Sequence, residues 1–379
     1  MTDYFQKSIE LHKKYKGKLR TEAIVHIESR DDLSWAYSPG VAEPCREIAA
    51  DPEKMYDYTL KSRTVAVISD GSAILGLGNL GHRASMPVME GKCVLFKEFA
   101  GVDAFPIIIS TQDTEEFIST VKNIADGFGG INLEDISAPR CFEIEERLKA
   151  ELDIPVMHDD QHGTAIVVLA GLINALKVTG KKKEDIRVVL NGAGAAGVAI
   201  CKLLHLYGVQ HFIACDTKGI IHSGRVGLDI SKQKLLEFTN RDNMMGTLAD
   251  AMVGADVFLG VSAAGVLTEE MVRTMASDSI IFAMANPIPE IMPEIAKAAG
   301  ARIIGTGRSD YPNQVNNVLA FPGIFAGVLR YRKRQITDEM KIRAAEALAS
   351  YVQSPTDNNI LPDALDKGVA EVIALAMRD

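Results

Sequence analysis

The chain has 379 residues, 24% charged and 47% in the hydrophobic group, an ordinary composition for a soluble globular protein long enough to build two cores. Its formal net charge of -9 argues against nucleic acid or an anionic membrane as partner. Five widely spaced cysteines, with no Cys-x-x-Cys or Cys/His cluster, argue against zinc and a disulfide framework and read as free thiols in a reducing cytoplasm.

The first stretch, MTDYFQKSIELHKKYKGKL, sets apolar residues at helical spacing among lysines and lacks the apolar core of a signal peptide, so a surface helix is expected. WAYSPGVAEPC is a Pro/Gly-punctuated loop leading into a helix, with an aromatic hydroxyl at Tyr37; a lone tyrosine is most often a half-buried aromatic. RTVAVISD is a β-branched strand that runs into DGSAILGLGNLG, where Gly76, Gly78 and Gly81 spell GxGxxG. A dinucleotide site is not expected there, because Pro87 and Gly91 should interrupt any helix directly after it.

MEGKCVLFKEFAGVDAFPIII reads as a helix followed by a strand. Lys92, just after Gly91, is expected at the helix start, where a positive charge opposes the dipole. That position and a nearby cation would push its pKa down and free a neutral amine for base catalysis, whereas nothing marks Lys97. Helical patterns over 114–126 and 139–152, with strands between, point to an α/β domain. FGGINL ends on Glu134 and Asp135, ahead of a helix announced by Ser137 and Pro139.

The strand IPVM leads to Asp159 and Asp160, which precede the apolar helix 164–176. That apolar run is shorter than the roughly 20 residues needed to span a bilayer. Acids wedged between core elements must be paired, hydrogen-bonded or bound to a cation, and a hard ion such as Mg²⁺ or Mn²⁺ takes several carboxylate oxygens. An isolated acidic pair more often caps a helix.

A second GxGxxG, at Gly192, Gly194 and Gly197, passes the test the first fails. IRVVL precedes it, AAGVAICKLLHLYG follows as an unbroken helix, and HFIAC ends in Asp216, about 20 residues on. The first two glycines let the pyrophosphate approach the helix N-terminus and the third lets helix and strand pack closely. ADVFLGVS and SIIFAMANP extend the same sheet and bring Asn286 to a strand end, where ligands bind in such sheets. A further strand, ARIIGTG, precedes a polar loop with Asn316 and Asn317, and the last fifty or so residues read as amphipathic helices.

Taken in order, WAYSPGVAEPC, DGSAILGLGNLG, MEGKCVLFKEFAGVDA, INLEDISAPRCFEIE, HDDQHGTAIVVLAGL, VLNGAGAAG, ANPIPEI and TGRSDYPNQVNNVLAFPG resemble the malic enzyme family in its short bacterial form, over nearly the whole chain. The resemblance implies an N-terminal α/β substrate domain, 1–158, and a Rossmann-type, doubly wound dinucleotide-binding domain with C-terminal helices, 159–379. It implies Tyr37 as catalytic acid, Lys92 as catalytic base, and Glu134, Asp135 and Asp160 as ligands of Mg²⁺ or Mn²⁺. Gly192, Ala193, Gly194, Ala195, Ala196, Gly197, Asp216 and Asn286 would bind the dinucleotide, and Lys92, Asn286 and Asn317 the substrate. The implied reaction is oxidative decarboxylation of L-malate to pyruvate and CO₂, through oxaloacetate and an enolpyruvate, by a cytoplasmic homodimer. Tyr4, Phe5, Ile9 and Leu11 are available for its interface, or for packing on their own domain.

Two positions depart from the family pattern. Met157 stands where Phe is usual, and Ala73 where larger members carry an arginine for a substrate carboxylate, leaving Asn317, Ser72 or the lysine as candidates for that task. Asp216 favours NAD, since a carboxylate bonds a ribose 2′-hydroxyl and repels a 2′-phosphate, while Lys218 and Arg225 keep NADP open. A malolactic or oxaloacetate-decarboxylating lyase could use the same site, and a catalytically silent dinucleotide-binding protein is the other class of alternative.

Overall fold

A computed structural model describes residues 4–378. Two parallel sheets organise them. In the first, β1 (Thr64–Ser69), β2 (Asp103–Ile108), β3 (Gly130–Leu133) and β4 (Val156–His158) lie in the order β2-β1-β3-β4. In the second, β5 (Arg187–Asn191), β6 (His211–Asp216), β7 (Gly219–Ile220), β8 (Val257–Gly260), β9 (Ile280–Ala283) and β10 (Ile303–Thr306) lie in the order β10-β9-β8-β5-β6-β7. Only β7 is antiparallel, at the edge. A reversal of strand order about β5 is the doubly wound arrangement.

Strand chemistry explains why both faces are covered. Val65 and Val67 of β1 join one core and Ala66 and Ile68 another; in the second sheet Val188 and Leu190 point to one core and Val189 to its opposite. Runs of β-branched residues buried on both sides belong to parallel sheets clad in helices. One core is shared between the two sheets, holding Val65 and Val67 together with Val188 and Leu190.

Helices α1 (Tyr4–Tyr15), α2 (Arg30–Ala36), α3 (Ala42–Ala50) and α4 (Met55–Tyr58) form an N-terminal arm, and α5 (His82–Ala100), α6 (Thr114–Ile124) and α7 (Arg140–Glu151) clad the first sheet. The shared core is built on α8 (Asp159–Thr179), buried nearly all round, which packs on α9 (Ala195–Tyr207). By length and composition alone α8 could cross a membrane, which corrects the shorter run read from the sequence; its apolar surface is taken up inside the protein. Short helices α10 (Ile230–Leu235), α11 (Leu248–Met252), α12 (Glu269–Arg273) and α13 (Pro293–Ala298) link strands of the second sheet. Finally α14 (Phe321–Arg330), α15 (Asp338–Tyr351) and α16 (Gly368–Ala376) close over the shared core.

The sequence expectation fails at α5. The helix begins at His82 and runs through both Pro87 and Gly91. Ser85, Met89, Lys92, Cys93 and Phe96, at i, i+4, i+7, i+8 and i+11, are buried, and burial of that face outweighs the single hydrogen bond Pro87 forfeits. Lys92 is therefore mid-helix, and the dipole argument for a lowered pKa does not apply to it. The arm differs in kind from the rest. None of residues 4–60 is buried, and Tyr4, Phe5, Ile9, Leu11, Ile24, Val25, Leu33 and Trp35 are all exposed, so α1 does not pack on its own domain.

Candidate active site

The carboxyl ends of β3 and β4 bring the acids together. Glu134 directly follows β3 and Asp135 turns out of it with φ 54, a left-handed conformation at the edge of the cluster. Asp159 and Asp160 open α8, where free backbone N–H groups favour carboxylates. Glu134, Asp135 and Asp160 each present an oxygen within 4.8 Å of the others, and Asp160 Oδ2 also accepts the Asp135 backbone N–H at 2.9 Å. Asp159 turns the other way. It takes the buried Lys92 ammonium, whose Nζ lies 3.0 Å from Glu134 Oε1 and 4.4 Å from the Phe321 ring centroid. Gly163, one turn into α8, leaves room for this: a side chain there would run into Asp159 and the Cβ of Asn317. Asn317 thus stands beside the cluster.

Four carboxylates against one ammonium leave an excess of buried negative charge. Burial holds Glu134 well above the usual carboxylate range in spite of Lys92, and burial with the neighbouring Asp160 pushes Asp135 up to about 7. Asp159, buried and opposed by Lys92, is pushed up to about 6. Lys92 is the reverse of the sequence expectation. Burial works to lower its pKa, but Asp159, Glu134 and Asp160 outweigh it and the net shift is upward, so the amine is held charged in this arrangement. The donor set fits a hard divalent cation: all oxygen, with Asp135 Oδ2 buried and without a hydrogen-bond partner.

The second glycine turn behaves as its chemistry requires. Gly192 has φ 110, and a Cβ on it would meet the Val261 carbonyl; one on Gly197 would meet the Gly192 carbonyl. Gly194, at the start of α9, has nothing within 4 Å of where a Cβ would stand. Ala195 and Ala196 form the first turn of α9, so the open space lies at a helix N-terminus, where phosphates bind. A cavity of about 920 Å³ runs from Gly192, Ala193 and Gly194 past Asp216, Lys218 and Lys232. Asp216 does not face it unpaired. Arg225 grips both its oxygens at 2.9 Å and Lys232 Nζ adds a third contact at 3.0 Å. Burial would raise its pKa, but these bonds hold it down at about 2. Asn286 is exposed at the end of the β9 loop, its carbonyl near Gly76.

Tyr37 is the residue not brought in. It ends α2, is 69% exposed, and among the described residues no hydrogen bond or ring contact joins it to the Lys92 cluster. Ser72 is taken out as a carboxylate holder, because its hydroxyl donates to Asp70 at 2.6 Å and accepts from Ser137 N–H at 2.9 Å. Glu145 was not singled out from the sequence. Buried on α7, it accepts His158 N–H at 3.1 Å and pairs with His162 Nε2 at 2.8 Å and Lys149 Nζ at 2.6 Å, which braces the turn carrying Asp159 and Asp160. The available signal was an acid in register with Cys141, Ile144 and Leu148 on an apolar helix face.

The fold and this site together define a two-domain, nicotinamide-dinucleotide-dependent oxidoreductase. Residues 161–377 match the malic enzyme NAD binding domain, and 16–115 and 110–149 the malic enzyme N-terminal domain. The chain belongs to the malic enzyme family. It is 58% identical over 98% of its length to a bifunctional malic/malolactic enzyme of Bacillus subtilis, covering 92% of that protein. An NADP-dependent malic enzyme of Halomonas elongata is 52% identical over 96% of the chain and 86% of its own length. The crystal structure of an NAD-dependent malic enzyme from Thermotoga maritima superposes with a TM-score of 0.95 at 48% identity, covering 100% of this chain and 99% of that one.

Proposed function

We propose that the protein catalyses metal-dependent oxidative decarboxylation of L-malate to pyruvate and CO₂ with reduction of NAD or NADP. The observation that carries this is the buried Lys92 held between Asp159 and Glu134, beside three carboxylates that fit a hard cation. We place the metal, lysine and tyrosine chemistry mainly in residues 1–158 and dinucleotide binding in 159–379.

A divalent cation on Glu134, Asp135 and Asp160 would polarise the malate hydroxyl and offset Glu134 and Asp160, two of the three carboxylates that hold Lys92 charged. Lys92 then takes the C2 hydroxyl proton as hydride leaves C2 for the nicotinamide, with Asp159 hydrogen-bonded behind the amine to orient it. Decarboxylation of the resulting oxaloacetate leaves an enolate of pyruvate, which Tyr37 protonates at C3. Asn317, packed next to Asp159, and Asn286, at the rim, hold substrate and nicotinamide. Because Tyr37 lies on an arm with no buried residue, we infer a homodimer in which a second copy covers the arm and Tyr37 serves the partner's Lys92. The five free cysteines fit a cytoplasmic enzyme.

The defining test is reduced-nicotinamide absorbance with L-malate and Mn²⁺, with pyruvate and lactate assayed in the same tube. Equal reduced cofactor and pyruvate, abolished by a chelator, is the expected result; no turnover with either cofactor would refute it. Lactate without net reduction would install the second reading, a malolactic activity of the same site, which the name of the Bacillus subtilis relative favours.

The metal reading has a test independent of turnover. Mn²⁺ at about 100 times its Kd should raise Tm by roughly 3 °C, since binding only to the folded state is worth about 2.7 kcal/mol. Asp160→Asn should abolish that shift; an undiminished shift would remove Asp160 from the ligand set.

Cofactor choice rests on Asp216. With both oxygens engaged by Arg225 and Lys232, it has little capacity left for a ribose hydroxyl and little charge to repel a phosphate. We therefore propose that NAD is used and NADP admitted. Lys232→Gln should lower kcat/KM for NADP about tenfold relative to NAD, the worth of one charge-assisted phosphate contact. An unchanged ratio would mean that Lys232 does not read the 2′ position.

A further inference from the structure

Glu290 is 0% exposed, and among the described residues no lysine, arginine or histidine pairs with it. A buried carboxylate needs strong donors, and three reach this one. Ser262 N–H donates to Oε1 at 2.8 Å and Ser262 Oγ to the same oxygen at 3.1 Å, while Ala285 N–H donates to Oε2 at 3.0 Å. Gly260 makes the approach possible, because a Cβ there would fall on the Glu290 carboxyl.

These partners lie just past two neighbouring strands, β8 and β9, at the carboxyl edge of the dinucleotide sheet. The bonds continue outward from there. Ser262 Oγ accepts from Asn191 Nδ2 at 2.8 Å; Asn191 ends β5 and immediately precedes Gly192, and both Asn191 and Ser262 line the 920 Å³ cavity. Ala285, on the other side, immediately precedes Asn286. The backbone is tied as well, since Glu290 O accepts Leu267 N–H at 3.1 Å.

We propose that Glu290 is the positioning residue of the dinucleotide site: one buried carboxylate, bonded to the ends of two strands, sets Ser262 and Asn191 beneath the glycine turn and fixes the strand end that leads into Asn286. It touches no ligand itself. A hydrophobic residue at 290 could fill the volume but would leave the Ser262 and Ala285 N–H groups unpaired, and the loop ends would then separate to find water. Glutamine keeps one acceptor and turns an NH₂ toward one of the two N–H groups, so it breaks one side of the bridge while preserving shape.

The inference rests on the reading of Gly192–Gly197 as the phosphate-binding turn, which NADH binding to the wild-type protein tests separately. On full-length protein, NADH affinity is followed by its fluorescence and Mn²⁺ binding by the thermal shift. Glu290→Gln should weaken NADH about tenfold and leave the Mn²⁺ shift intact, because the carboxylate cluster is anchored on β3 and α8. Ser262→Ala, which keeps its backbone bond to Glu290, should weaken NADH about threefold, and the double variant should be no weaker than Glu290→Gln alone, since both act through one hydrogen-bond chain. NADH affinity within twofold of wild type in Glu290→Gln would overturn the proposal, as would equal loss of NADH and Mn²⁺ binding. Should Glu290→Gln not fold, wild-type affinity in Ser262→Ala would overturn it alone.

Discussion

Lys92→Ala is expected to lower kcat by about 10³-fold or more while leaving Mn²⁺ binding in place. The upper range of general acid–base effects is about 10⁴. Lys92 is the only cation within salt-bridge distance of Asp159 and Glu134 among the described residues, and substrate must meet it at a cluster otherwise built of acids. Its removal has two opposed consequences. Two buried carboxylates lose their counter-charge, a loss of order 3–5 kcal/mol where no other partner steps in. The same removal takes a competing positive charge from beside Glu134, so the Mn²⁺ thermal shift should be at least as large as in wild type. Lys92→Met, which keeps most of the volume, should behave alike. Because the C2 oxygen that Lys92 deprotonates in the oxidation is also the oxygen on which enolate charge develops, and the ammonium stabilises that charge, malate oxidation and solvent exchange of the pyruvate C3 protons should fall together. More than about a tenth of wild-type kcat in folded, Mn²⁺-binding Lys92→Ala would dismiss the lysine as the base, given the size of such effects.

Tyr37→Phe should be selective where Lys92→Ala is not. It removes the proton donor for C3 and leaves the base in place, so exchange of pyruvate C3 protons should fall about 10²-fold or more while reduction of the cofactor by malate is much less affected. The larger effect is expected on mixing the two defects. In a heterodimer of one Tyr37→Phe chain and one Lys92→Ala chain, each site would be defective if Tyr37 served its own chain. If it serves the partner, one site of the pair is whole, and purified heterodimer should regain up to half the wild-type rate of pyruvate C3 proton exchange per dimer, a rate both parents have nearly lost. The physical ground is the arm: Trp35 and Tyr37 are 72% and 69% exposed, and no residue from 4 to 60 is buried. So large an apolar surface marks an interface. Absence of recovery in isolated heterodimer would place Tyr37 in its own chain's site or outside the chemistry.

Part of this protein was written in short segments. The turn at Gly192, Gly194 and Gly197 could be read from residues 187 to 216 because a glycine's freedom and a strand's alternation are properties of the few residues around them. The same holds for the parallel strands, and for the acids at 134, 135 and 160, each at the end of a recognisable apolar run. Long-range packing set the remainder. Whether α5 survived Pro87 depended on the core waiting for Met89 and Phe96. Whether Asp159 or Asp160 faced Lys92 depended on the rotation of α8 against a helix 67 residues away. Asp216 looked free until Arg225 and Lys232 folded back on it, and Tyr37, the acid the family resemblance implied, proved to stand exposed on an arm in which no residue is buried. Local sterics act through neighbours in the chain, whereas charge pairing and burial act through neighbours in space, and those are known only once the sheets and helices have been brought together.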